Sequence, residues 1–161
     1  MAVSEVLLAL AGNWQGSNRL WLVPTEPARE SEGTAVLQPV AQNKFITLHY
    51  TWADEGQPQA GVLLLGQDGA QVNASWVDSW HMQDKIMQLT GTTKPDGSAV
   101  VDGSYAAPPG PDWGWRIAIQ PLENDQFKLI MHNVTPDGAA MLAVEAVFSR
   151  AGSRRVILEI R

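Results

Sequence analysis

The chain of 161 residues contains no cysteine, which excludes disulfides, thiolate nucleophiles and cysteine-ligated zinc or iron–sulfur centres. A thiol-free chain suits a reducing compartment, and a cytoplasmic location is expected. Basic charge is scarce: 11 Lys and Arg stand against 17 Asp and Glu, a net charge of −6. The basic residues are scattered and form no cationic face that would release counterions from nucleic acid, so no such partner is expected. Long apolar runs are missing too. No stretch approaches the roughly 20 apolar residues of a membrane-crossing helix, and no membrane span is expected. The apolar run Val6–Ala11 has no basic segment before it and no cleavage-site pattern after it, so it is not read as a signal peptide. The triplets Asn73-Ala74-Ser75 and Asn133-Val134-Thr135 then carry no expected glycan. There is no metal-binding histidine spacing, no Gly-x-Ser-x-Gly elbow, no phosphate-cradling glycine loop and no calcium-loop pattern.

What is present is the punctuation of an antiparallel meander. Asp-Gly pairs, a strong hairpin signal, stand at Asp68-Gly69, Asp96-Gly97, Asp102-Gly103 and Asp137-Gly138. Runs rich in Val, Ile, Thr, Trp and Tyr separate them. They predict strands near 14–23, 33–40, 44–53, 60–67, 70–82, 85–93, 98–105, 113–121, 126–134 and 140–150, with a last near 154–161. Ser4–Ala11 is the one helical candidate, with Ser4 as its N-cap. Pro24–Ser31 and Ala106–Pro111 read as loops. With no repeat or linker, residues 1–161 are expected to form one domain, long enough to bury about two thirds of its unfolded surface. The expected fold class is all-β: an up-and-down barrel of about ten strands, since closure removes exposed edges.

Leu10-Ala11-Gly12-Asn13-Trp14-Gln15-Gly16 reads as a helical turn, then Gly-x-Trp, then a strand. This resembles the calycin superfamily of lipocalins, fatty-acid-binding proteins and nitrobindin-like barrels. The resemblance implies that Trp14 plugs the closed end and that an arginine of the last strand, Arg150, Arg154 or Arg155, stacks over it. Such a cation–π contact is worth about 0.5–2 kcal/mol. Along residues 10–150, Trp76-Val-Asp78-Ser79-Trp80-His81-Met82, the segment Tyr105 to Arg116, and Asn133-Val-x-Pro-Asp-Gly look like a bacterial family catalogued as a domain of unknown function. That resemblance implies a calycin-like barrel and no activity. Nitrobindin-like relatives hold haem through a histidine on a C-terminal strand. No histidine follows His132 here, which argues against haem held in that manner, and no cofactor is expected.

Seven tryptophans are a heavy load, and strand parity says where they point. Ile46, Leu48, Tyr50 and Trp52 share one face of their strand, and Trp113, Trp115, Ile117 and Ile119 share one face of theirs. Both faces are expected inside. Ten strands make a barrel too wide for side chains to fill easily, so interior aromatics are expected to double as cavity walls. Asp78 shares the parity of Trp76, Trp80 and Met82. A carboxylate among indoles needs a hydrogen-bond partner or a cation, and indole N–H groups can supply that with no function attached. His81 alternates away from Asp78 and is expected to face outward unless a bulge intervenes. Together with Asp78, Arg116, His132 and Glu145 it is a candidate polar cluster at the barrel mouth. Glu145 stands alone in an apolar strand and needs a partner, for which Arg116 is a candidate. Asn133 is a ligand candidate or plain turn chemistry.

These residues support three readings. The first is a binding barrel for a small apolar or amphipathic molecule, with Tyr50, Trp52, Trp76, Trp80, Trp113 and Trp115 as walls and Asp78, His81, Arg116, Asn133 and Glu145 as polar groups. The second is an isomerase or hydrolase that uses Asp78 or Glu145 as general base. The third is a packed interaction module or homodimer, paired through the outer face of strand 113–121.

Overall fold

The computed structural model describes residues 3–151. A short helix, α1 (Glu5–Leu8), precedes ten strands: β1 (Gly12–Leu20), β2 (Arg29–Val40), β3 (Phe45–Asp54), β4 (Gln57–Asp68), β5 (Gln71–Asp78), β6 (Met87–Thr93), β7 (Ala99–Tyr105), β8 (Trp113–Leu122), β9 (Gln126–Val134) and β10 (Ala140–Arg150). Each strand pairs antiparallel with the next, and β1 pairs with β10, closing the barrel. The all-β up-and-down barrel is thus as expected. The strand read near 154–161, with Arg154 and Arg155, lies outside the described residues.

The two-residue alternation of strands decides what faces inward. On β3, Ile46, Leu48, Tyr50 and Trp52 are buried while His49 and Thr51 are exposed. On β8, Trp115, Ile117 and Ile119 are buried. Trp113 shares their parity but sits at the strand end, half-buried opposite Tyr105.

Three of the four Asp-Gly pairs turn the chain as expected, with glycine φ of +62° at Gly69, +89° at Gly97 and +95° at Gly138. Asp102-Gly103 does not. It lies inside β7, where a Cβ on Gly103 would come within 2.8 Å of the Met87 sulfur. This glycine answers to close strand packing rather than to a turn. The hairpin between β3 and β4 turns instead on Glu55-Gly56, and that between β8 and β9 on Asn124 and Asp125, all at positive φ.

The helix is shorter than Ser4–Ala11, but Ser4 caps it, its hydroxyl accepting from the Leu7 N–H at 3.3 Å. It closes one end of the barrel. Leu7 is fully buried, and the Trp14 indole donates to the Leu10 carbonyl at 2.9 Å. Arg150 lies 4.3 Å over the Trp14 ring and donates to the carbonyls of Ala11 and Ala9 at 2.8 and 3.0 Å. Of the three arginines considered for this role, Arg150 fills it.

The middle of the barrel is not the wide cavity expected of ten strands. Phe127 and Phe148 stack behind Trp14. Leu37, Leu48, Leu63, Leu65, Leu89 and Ile117 follow, each at most 2 % exposed. Side chains this large fill the closed half of the interior, and the interior opens at the other end.

Candidate functional site

The open end is shaped by where β5 stops. Asp78, 2 % exposed, closes the strand by turning its own carboxylate onto the chain ahead: one oxygen accepts the backbone N–H groups of Trp80 and His81, both at 2.8 Å. Aspartate favours such local bonds because its short side chain reaches the backbone two and three residues on. The strand expected over 70–82 therefore ends at Asp78, and residues 79–86 fold back over the mouth. Strand parity no longer holds past that point. His81, expected outside, is carried inward, its ring 4.7–5.9 Å from those of Trp80, Trp115, Trp52 and Trp76.

The second Asp78 oxygen accepts the Tyr50 hydroxyl at 2.6 Å, and that hydroxyl in turn accepts the Trp76 indole N–H at 2.9 Å. Tyr50 on β3 and Asp78 on β5 both pair in register with Gly61 of β4, which lies between them. The phenol crosses directly over Gly61, where a Cβ would collide with its ring and hydroxyl. Gly61→Ala is accordingly expected to displace Tyr50 and to cost about 1–3 kcal/mol, the usual range for overpacking. Urea denaturation together with the near-ultraviolet circular dichroism of the aromatic cluster checks this; an unchanged spectrum and midpoint would refute the crossing.

Burial pushes the Tyr50 phenol well above its ordinary value, and the Asp78 charge adds to the effect. Burial lowers the His81 imidazole, against a smaller opposing pull from Asp78. The ring nitrogens of this half-buried histidine make no hydrogen bond among the described residues.

Above this buried network lies a hollow of about 490 Å³ walled by Trp76, Trp80, Trp115, Tyr105, Met82 and Met87, with His81 at its back. A smaller one of about 150 Å³ lies on the far side of Trp80, His81 and Trp115, beneath Trp21 and Leu22 and against Asn133. The Tyr105 hydroxyl donates to the Asn133 side-chain oxygen at 2.6 Å, so Asn133 is a strand residue rather than a turn former. The Trp115 indole N–H is buried and finds no acceptor among the described residues.

The rest of the candidate set is dispersed. Tyr50 and Trp52 are buried behind the hollow rather than on its surface, and Trp113 lies outside it. Arg116 points outward and bonds Asp102 at 2.8 Å, not Glu145. Glu145 finds its partner in Arg19 and Lys128, each at 3.4 Å on the outer face. His132 sits beside Arg116 in register, its pKa lowered first by burial and then by that cation. The expected polar cluster of Asp78, His81, Arg116, His132 and Glu145 therefore does not form: the outward parity of Arg116, His132 and Glu145 puts the barrel wall between them and the other two. The candidate set left out Tyr105, Met82 and Met87. The signal for Tyr105 was available, since it shares the inward parity of Ala99 and Val101. Met82 shares the inward parity of Trp76 and Asp78, although the turn made by Asp78 rather than a continuing strand places it.

Among the described residues, no group of three His, Asp or Glu is placed to hold a metal ion, and no helix is long and apolar enough to cross a membrane.

Ten antiparallel strands closed on themselves, plugged by a helix at one end and hollowed between aromatic rings at the other, define a closed antiparallel β-barrel protein. Residues 2–150 match the family described as "Protein of unknown function (DUF1579)", and the chain belongs to that family. The fold is similar to that of the crystal structure of Rv2717c from M. tuberculosis, at 16 % identity over 92 % of this chain and 98 % of that one, with a TM-score of 0.61. At that identity the likeness is one of fold alone. No curated protein matches the chain.

Proposed function

We propose that this chain is a non-enzymatic, calycin-like binding barrel, one domain over residues 1–161, which holds a small, largely apolar molecule in the hollow at its open end. The observation that carries the reading is the 490 Å³ hollow between Trp76, Trp80, Trp115 and Tyr105 at the open end of a barrel whose closed half is filled by buried side chains. Its volume lies in the range of small-molecule sites, and its aromatic and methionine walls stand beside the polar side chains of His81, Gln83, Lys85 and Ser104. Of the polar anchors considered from sequence, His81 lines this hollow, while Arg116 and Glu145 face away from it. An acid–base enzyme needs titratable groups converging on one point. Asp78 is occupied by three hydrogen bonds beneath the wall, and nothing in the geometry favours that second reading.

Because the walls are indoles, an apolar fluorescent dye or a medium-chain fatty acid is expected to quench tryptophan emission saturably, with a Kd on the order of micromolar. Trp80→Ala, which strips one wall, should weaken the quenching. Absence of saturable quenching across a dye and fatty-acid series would overturn the reading. Native mass spectrometry of freshly purified protein then shows whether a ligand is carried from the cell.

A further inference from the structure

The hollow changes character between floor and rim. We infer that the molecule held there is a single-headed amphiphile, its apolar chain inward and its anionic head at the mouth on the Lys85 ammonium, so that Lys85 sets the head-group preference; this rests on the binding reading above.

Trp76, Met87 and Trp115 line the hollow at 1, 4 and 7 % exposure. Gln83, Lys85 and Ser104 line it too, and all three are exposed. Apolar surface is thus offered at depth and polar groups stay wet at the edge, an arrangement that an amphiphile satisfies from both ends. Ile86 belongs to the same rim and, at 65 %, is the most exposed large apolar side chain among the described residues. An alkyl chain passing over it takes that surface out of water.

The charges decide which end goes in. No Lys or Arg among the described residues is buried, so an anionic head drawn to the floor would lose its water with no cation to offset the loss. At the mouth a cation is available. Arg19, Arg29, Arg116, Lys128 and Arg150 each stand within 4 Å of a carboxylate. Lys44, Lys85 and Lys94 make no ion pair among the described residues, and of these Lys85 alone lines the hollow. The turn after β5 holds it there: the Met82 N–H bonds the Asp78 carbonyl at 3.0 Å, and the Lys85 N–H bonds the Met82 carbonyl at 3.1 Å. The acidic residues of the neighbouring loops, Glu55, Asp84 and Asp112, are exposed and form no part of the lining. Salt screens them, whereas a head at the rim meets Lys85 directly.

Displacement of Nile red from the full chain by decanoate, decanol and decylamine tests this, since the three share a chain and differ in the head. The wild type is expected to bind decanoate about three- to fivefold more tightly than decanol, the worth of one exposed ion pair, and more tightly than decylamine. In about 1 M salt, where the screening length falls to about 3 Å, the advantage over decanol should shrink. Lys85→Gln should bind decanoate and decanol alike, and Lys85→Glu should favour decylamine. Because Lys85 is exposed, both variants should keep the wild-type unfolding midpoint. Orientation has its own probe: ω-hydroxydecanoate puts a hydroxyl on the apolar floor and should bind at least about fivefold more weakly than decanoate. Equal affinities for decanoate and decanol in the wild type, a carboxylate preference that survives Lys85→Gln, or ω-hydroxydecanoate as tight as decanoate would each overturn the inference. So would Nile red that binds and is displaced by none of the decyl compounds, which leaves a binding hollow intact. If neither the dye nor any decyl compound binds, the binding reading itself fails and takes the inference with it.

Discussion

Trp14→Ala is expected to destabilise the barrel by about 3–5 kcal/mol, the range for deleting a large, fully packed aromatic side chain. Trp14 is 2 % exposed and meets Phe127 edge-on at 4.8 Å. Its indole N–H holds the Leu10 carbonyl after α1, and its other face carries Arg150. Removing the ring opens a void between helix, first strand and last strand, and takes the cation–π contact with it. For a chain of this length the loss corresponds to a fall in Tm of roughly 10–15 °C. Differential scanning calorimetry reads it directly. A shift under about 3 °C would mean that the closed end is held by α1 and Arg150 without the plug.

The second large effect is expected at Asp78. Asp78→Ala leaves three donors without their acceptor: the N–H groups of Trp80 and His81 and the hydroxyl of Tyr50. Each buried unpaired donor costs about 1–3 kcal/mol, partly relieved where water reaches the truncated site, so a net loss of about 3–4 kcal/mol is expected. Asp78→Asn keeps an oxygen for the two N–H groups but presents an N–H to the Tyr50 hydroxyl, and should lose about 1–2 kcal/mol. Because the carboxylate lies beneath the wall, Asp78→Asn should change dye affinity less than about threefold. Guanidinium unfolding and dye titration on the same samples separate stability from binding. Full stability with affinity down tenfold or more would show that Asp78 meets the ligand itself.

The fold was legible from sequence because it rests on local, periodic information. The alternation Ile46, Leu48, Tyr50, Trp52 reports one buried face, and three of four Asp-Gly pairs mark true turns. The site was less legible because a single side chain redirects the backbone. Two-residue parity correctly put Asp78 inside with Trp76, but running it on to His81 assumes that the strand continues. The carboxylate of Asp78 bonds two N–H groups ahead of it and ends the strand. Nothing in a period-two pattern reports such a bond. Asp102-Gly103 failed in the same way: a Gly that relieves crowding against Met87 looks, in one dimension, like a Gly that turns the chain. The charged residues show the opposite case. Arg116 alternates against Trp115, so its outward direction was implied, and its partner Asp102 sits directly across from it on β7.

The seam between β1 and β10 has a bearing on how this chain is made. Arg150 bonds Ala11 across a sequence separation of 139 residues, so the first strand waits for the last before its free edge is paired. At ribosomal speeds of about 5–20 residues per second, that wait is on the order of ten seconds. For that time the growing chain presents unpaired strand edges at β1 and at its newest strand, the geometry through which chains pair with the wrong neighbour. A barrel sealed by its own ends is protected once finished and most exposed to aggregation just before.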